Sequence, residues 1–470
     1  MLQCTGIEPG KITAPARVST ARPLRRILGL GFGLAFAFGT MVGVGILRLP
    51  GLVAAAAGTP TLVIICWCIG AVYALMGAVS VSELAAMYPE AGGFRVYARR
   101  AFGDRAGFVV GWIDWLASVA TLAYAAVSAI EFVSTLWPTL ARYETVAAVA
   151  VLGAFTALHS SGVRIGSTIT SLASATIGIL LLFLIVGCFL AAPSMHPVGA
   201  GEATASPPLS NGTLLALVPA IPALLTAYDG WYAPIYTAEE CVNASRTLPR
   251  SIIAGALLVA VLYVTLNIAL LRVMSLPMLA ASKLPIAAAS QIVLPHGSAS
   301  LMTALSILIV LSLINGNAIM GPRVLFSMAR EGWISEKAAA VNGGGTPYVA
   351  LVATTLTSSV MILTGTFNQL ISLFAVLILL YYIAAFLAVF ILRRRLADLP
   401  RPYKAFGYPV STSVVLIGSV AFLIANIIED WRPGVMALLF LSLCIPAYAL
   451  ASRSRRARVS EFAPEPELML

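Results

Sequence analysis

Two long apolar runs in this chain are each interrupted by glycine, and the places of those interruptions constrain the fold more than any other feature. The first reads Gly39-Thr40-Met41-Val42-Gly43-Val44-Gly45-Ile46; the second reads Tyr228-Asp229-Gly230-Trp231, just before the midpoint. In hydrocarbon each unpaired backbone N–H or C=O costs several kcal/mol. A broken helix is tolerated there only where the loosened backbone is buried in protein or lines a cavity. Two breaks in corresponding helices of two halves point to a solute site at mid-membrane.

The composition fits a membrane setting. Hydrophobic residues make up 60% of the chain, against about 45–50% in soluble domains, and charged residues 10%, against about 25%. With a mean hydropathy of +0.94, the chain reads as one integrated all-α membrane domain with no room for a large soluble one. The first 26 residues are polar and basic and hold no apolar core of a signal peptide. A spanning helix needs about 20 apolar residues. On that rule the spans fall near 28–56, 60–86, 108–136, 145–162, 168–192, 212–240, 250–274, 299–328, 347–366, 368–392, 409–428 and 433–451.

That gives about 12 transmembrane helices and both termini on one side. Of the 29 Lys and Arg residues, 24 then fall on the side of the termini. The other side receives Arg48, Arg142, Arg272, Lys283 and Arg432. Such a bias marks the side of the termini as cytoplasmic, which also explains the net charge of +10 without invoking nucleic acid. The two broken spans are five apart and start from opposite sides. The expected organisation is a cytoplasmic tail over 1–26, a transport core over 27–392 with inverted repeats at about 27–192 and 212–392, two further helices within 393–451, and a cytoplasmic tail over 452–470.

The break at Gly39–Ile46 would free N–H groups at the start of an outer half-helix. Those donors and the positive end of the helix dipole suit a carboxylate, and Thr40 adds a hydroxyl. Close helix packing through Gly39 and Gly43 is the other reading of the same residues. In the second break, Asp229 stands alone in an apolar span, where a carboxylate costs roughly 2.5–3.5 kcal/mol on insertion scales. It could pair with a substrate ammonium or carry a proton, or it could cap the half-helix that begins at Gly230. Pro219 and Pro222 weaken the same helix upstream. Tyr228, Trp231 and Tyr232 could wall a pocket or simply pack. Asn315 and Asn317 in the eighth span need partners, either a ligand or another helix. Glu83 and Glu90 read as structural salt links beside the Arg95–Arg105 cluster. Cys4, Cys66, Cys68, Cys188, Cys241 and Cys444 show no metal-knuckle spacing. His159, His196 and His296 are scattered, so neither a metal nor a cofactor is expected. No nucleophile–base arrangement and no phosphate-cradling loop is present in the sequence, which argues against an enzyme or an ATP-driven pump.

At these residues the chain resembles the amino acid–polyamine–organocation permease superfamily, and within it the L-type amino acid transporter branch. The resemblance rests on the first break; on Glu83-Leu84 with Tyr88-Pro89-Glu90-Ala91-Gly92-Gly93; on Tyr228-Asp229-Gly230-Trp231 with Glu239-Glu240; on Asn243 to Arg250; and on Asn315-Gly316 with Ala329-Arg330-Glu331-Gly332. It covers most of residues 30–400. It implies a LeuT-like fold of five plus five helices with helices 1 and 6 discontinuous, and alternating access. It implies a substrate carboxylate on the Thr40–Gly45 backbone, including Met41, Gly43 and Val44. The amino group would meet the Tyr228–Trp231 break, and Asn315 would line the site. Similar proteins often carry a large aromatic two residues before Tyr228; here that place is Thr226, so gating would pass to Tyr228 or Trp231, or the site would admit a bulkier ligand. Many relatives also carry a lysine in helix 5, where this chain has Ile177, with Ser174 and Thr176 close by. Asp229 therefore becomes the candidate coupling residue for a proton, with sodium the other possible ion.

The expected activity is secondary transport of neutral or cationic amino acids across a plasma membrane, of the bacterial inner-membrane kind. A polyamine or organic-cation carrier is the nearest alternative; a channel or a non-transporting nutrient sensor on the same fold is the more distant one. Since no cysteine falls in a plausible external loop, no disulfide-linked partner is expected.

Overall fold

The computed structural model describes residues 24–191, 224, 226–294, 298–365 and 367–461. The expected tail residues 1–23 and 462–470, span residues 212–223 with Pro219 and Pro222, Cys4, His196 and His296 lie outside the described residues. Among the described residues the regular structure is helical, with one isolated bridge between Leu28 and Cys241.

Helices α1 (Leu30–Met41) and α2 (Val44–Ala57) form a pair bent by 45° across Val42 and Gly43. They are followed by α3 (Pro60–Met87), α4 (Phe94–Phe102), α5 (Asp104–Leu136), α6 (Glu144–Ser160) and α7 (Val163–Leu190). Then come α8 (Ala244–Val273), α9 (Ser298–Arg330), α10 (Tyr348–Thr364), α11 (Phe367–Arg395), α12 (Val410–Glu429) and α13 (Trp431–Glu461). Nine helices among the described residues are long and apolar enough to cross a membrane; the bent pair makes a tenth span, and α10 is shorter but apolar. Apart from the span expected at 212–240, much of which lies outside the described residues, and the far end of the last helix, the expected spans and the observed helices agree to within several residues. Two features went unforeseen. The amphipathic α4 is too polar to register in a hydropathy reading. The last helix runs on to Glu461, through residues expected as tail, because no Pro or Gly stops it before Pro464.

Local chemistry sets the ends. Thr59 accepts a hydrogen bond from the Leu62 amide at 3.3 Å, and Pro60 stands at the first helical position of α3. Along α7, Leu172, Ile179 and Phe183 form one exposed apolar stripe, the face a lipid-covered helix needs. Inside, α3 runs along α8, which also packs on α1, and α5 runs along α9, with α6 and α10 against the same pair. The two breaks lie between these groups. Of the near neighbours in the third helix, Cys66 is buried and Cys68 is exposed, as two residues apart on a helix dictates.

The side of the termini is stitched by charge. Glu240 and Arg323 form a buried pair with contacts of 2.6 and 2.9 Å. Glu239 binds Arg330 at 2.7 Å and accepts from the Ala91 amide at 3.0 Å. Arg95 and Arg99 both hold Glu331. Glu90 meets Arg99 and Arg100, as the sequence suggested, but Glu83 turns instead to Arg393 and Arg401, on and beyond α11. The chain before α1 is strapped to the second broken segment, with Ile27 and Leu28 amides donating to Glu240 O and the Val242 amide to Leu28 O. The opposite side shows the Arg48–Glu131 pair at 2.6 Å, with Glu131 exposed and Arg48 half-buried.

Candidate substrate site

The first break forms because Val42 leaves the helical region (φ −78°, ψ 88°) and Gly43 is fully extended (φ −124°, ψ −158°). No side chain caps the start of α2. A helix start leaves its first N–H groups without intrahelical partners, here those of Val44, Gly45 and Ile46. The three glycines divide the two roles the sequence left open. A Cβ on Gly39 would lie 2.5 Å from Ser174 Oγ, so Gly39 serves packing against α7. A Cβ on Gly43 would meet only Leu313, at 3.5 Å, so that glycine answers no packing demand. A Cβ on Gly45 would lie 2.8 Å from Ala227 Cα, on the second break.

The second break turns through Tyr228–Gly230 and continues as a buried 3-10 helix, Ala233–Glu240. Gly230 has φ +104°, and a Cβ there would sit 2.7 Å from the carbonyl carbon of Thr40. The Thr40 hydroxyl lies 2.6 Å from Phe36 O and 2.9 Å from Gly230 O, sharing its proton between its own helix and the opposing break. Tyr263 of α8 donates to Met41 O at 2.9 Å. The Asp229 carboxylate accepts from Tyr382 at 2.5 Å and from Tyr232 at 3.1 Å, and Tyr232 in turn meets the Tyr381 hydroxyl at 2.7 Å. Both Asp229 oxygens are thus occupied by phenol donors.

A cavity of about 360 Å³ opens between the breaks, and Thr40, Met41, Gly43, Val44, Gly45, Thr226, Asp229 and Gly230 all line it. It extends along α2 to Arg48 and Leu52, away from the side of the termini. Three expected site residues stand elsewhere. Tyr228 and Trp231 line a separate space of about 30 Å³ with Asp229. The Tyr228 hydroxyl donates to Trp67 O at 3.0 Å, and Trp231 stacks on Tyr382 with ring centres 5.6 Å apart. Asn315 does not line the large cavity. Its carboxamide is spent between helices, with Oδ1 2.9 Å from His159 Nε2 and Nδ2 donating to Thr170 at 2.7 Å. Asn317, two residues on, takes the place on the cavity wall. Sequence reasoning missed Thr121 and Tyr124 of α5 and Phe374 of α11, which also line it; nothing in their local sequence distinguishes them from packing residues.

Helical spans around two broken segments, closing on one cavity, make a solute permease of the membrane. The chain belongs to the Amino acid permease family, whose model matches residues 33–445. The family consists of transporters. Similar proteins include the Serine/threonine exchanger SteT of Bacillus subtilis (strain 168), 26% identical over 436 residues, covering 90% of this chain and 96% of the relative. The b(0,+)-type amino acid transporter 1 of Mus musculus is 26% identical over 434 residues, covering 89% and 86%. The Large neutral amino acids transporter small subunit 2 of the same species is 28% identical over 414 residues, covering 84% and 76%.

Proposed function

We propose that this chain carries zwitterionic amino acids by alternating access, with the substrate held between the two breaks. One observation carries the reading: the uncapped start of α2 and the Asp229 carboxylate line the same cavity. The substrate carboxylate meets the Gly43–Ile46 end of α2, where N–H groups and dipole favour an anion. The ammonium meets Asp229 and the carbonyls loosened at the second break. The volume of about 360 Å³ falls within the roughly 300–1,000 Å³ of small-molecule sites, and Thr226 leaves room for a large side chain. The names of the relatives point the same way, towards hydroxylated and large neutral amino acids.

The placing of 24 of 29 basic residues supports cytoplasmic termini, as in a bacterial inner membrane, and an inverted repeat around the two breaks. On that orientation the cavity opens outward and the ion pairs close the cytoplasmic side. The test is counterflow in proteoliposomes with a panel of amino acids and polyamines. Saturable exchange, competed by zwitterionic amino acids and not by putrescine, is the expected result. Uptake that does not saturate indicates a channel; binding without flux indicates a sensor; preference for putrescine indicates the organic-cation carrier.

A further inference from the structure

A second carboxylate lies behind the substrate cavity, and the reading above leaves it without a task. Asp114 stands in α5, ten residues after Asp104, so about 15 Å along the helix from its start. Its side chain is buried, with 1% of the residue exposed. Tyr236 donates to Oδ1 at 2.6 Å, and Oδ2 has no hydrogen-bond partner among the described residues. Asp114 borders a space of about 10 Å³ whose other walls include Thr121, Tyr232, Asn317 and Tyr381. Thr121, Tyr232 and Asn317 line the large cavity as well, so one layer of side chains separates Asp114 from the substrate.

That space admits about one water molecule and no hydrated metal ion. A dry carboxylate with an unpaired oxygen is a poor seat for a full negative charge. A proton on Oδ2 removes the charge and leaves Oδ1 accepting from Tyr236. One cation and one backbone donor lie near: Arg95 of α4, whose Nη groups hold Ser327 and Glu331 while its Nε has no hydrogen-bond partner among the described residues, and the Phe94 amide at the start of the same helix. From α11 comes Tyr381, from α9 Asn317, and from the broken segment Tyr232 and Tyr236. The other carboxylate, Asp229, already has hydroxyl donors on both oxygens.

We propose that Asp114 is a proton-binding site tied to the swing of the Ala233–Glu240 segment, so that a proton travels with the substrate. Tyr236 belongs to that segment. For the side of the termini to open, the segment leaves α5, taking the hydroxyl from Oδ1 and letting water reach the carboxyl. The hydrated carboxylate then releases its proton on that side. Reloading follows from the opposite side, through the substrate cavity. One proton is bound and one released per cycle, and no other reactant is consumed. The inference rests on the transport reading, although not on which amino acid is carried.

The full chain in proteoliposomes, with a pH-sensitive dye inside and labelled L-serine and L-leucine as probes, separates the two. At equal pH on both faces, exchange of labelled for unlabelled probe reports transport alone. Added probe should also evoke proton entry, and an imposed proton gradient should drive accumulation. Asp114→Asn should lose both proton entry and the pH dependence of uptake, and Asp114→Glu should recover them. Tyr236→Phe, which keeps the ring, should shift the pH midpoint of uptake. Exchange in the unaltered protein without any proton entry overturns the inference and leaves transport standing. Proton entry unchanged in Asp114→Asn overturns the role of Asp114. Absence of exchange with every amino acid defeats the transport reading and this inference with it.

Discussion

The two breaks solve one problem in opposite ways. The first is made of backbone alone: no charged side chain stands between Gly39 and Ile46, and the start of α2 is left uncapped. The second brings a carboxylate and surrounds it with phenols, Tyr232 and Tyr382 on its oxygens and Tyr381 one step behind. Peptide dipoles are enough to receive an anion, because they are fixed in place and cost no burial of charge. Receiving a cation at the same depth takes a formal negative charge, and that charge needs hydrogen bonds to be tolerated. The contrast explains why glycine dominates one break and aromatic residues the other.

The sharpest way to break the comparison is at their junction. Gly230→Val places a β-branched side chain at φ +104°, 2.7 Å from the Thr40 carbonyl carbon; the protein should lose its monodisperse peak in size-exclusion chromatography as well as all uptake. Gly43→Val should leave the fold intact, having only Leu313 to meet at 3.5 Å, yet abolish binding by blocking the start of α2. Near-normal uptake would show that the start of α2 does not receive the substrate. Asp229→Asn removes the charge and keeps the shape. With charge-assisted hydrogen bonds worth about 1.5–3 kcal/mol, affinity for zwitterionic substrates should fall by roughly 10–100-fold, read as a rise in KM. Gly39→Ala pushes against Ser174 and should lower thermal stability by about 1–3 kcal/mol with little change in KM. The smallest contrast is on α9: Asn317→Ala should raise KM, whereas Asn315→Ala should lower melting temperature first, since its amide joins helices.

The sequence carried the spans and the breaks because hydropathy and helix-breaking residues are local signals. Asp229 could be singled out as a carboxylate in an apolar run, but which of Gly39, Gly43 and Gly45 serves packing could not. Asp114, in the run 108–136, went unremarked; it shares that run with Glu131. Helical phase was harder. Asn315 and Asn317 are about 200° apart around one axis, and nothing in an apolar span on both sides says which faces the cavity. Partners distant in sequence were out of reach altogether. Glu83 lies near an arginine cluster in the chain but pairs with Arg393 and Arg401. The phenols on Asp229 include Tyr382, some 153 positions away, and only the packing of α11 brings it there.

The abutment of Gly45 on Ala227 and of Gly230 on Thr40 has a mechanical consequence. With bare main chain against bare main chain and the Thr40 hydroxyl bridging them, the two broken segments form a single joint. Neither can pivot without dragging the other. In the proposed cycle a cargo seated there would ride the joint through the whole stroke rather than be handed from one half of the carrier to the other.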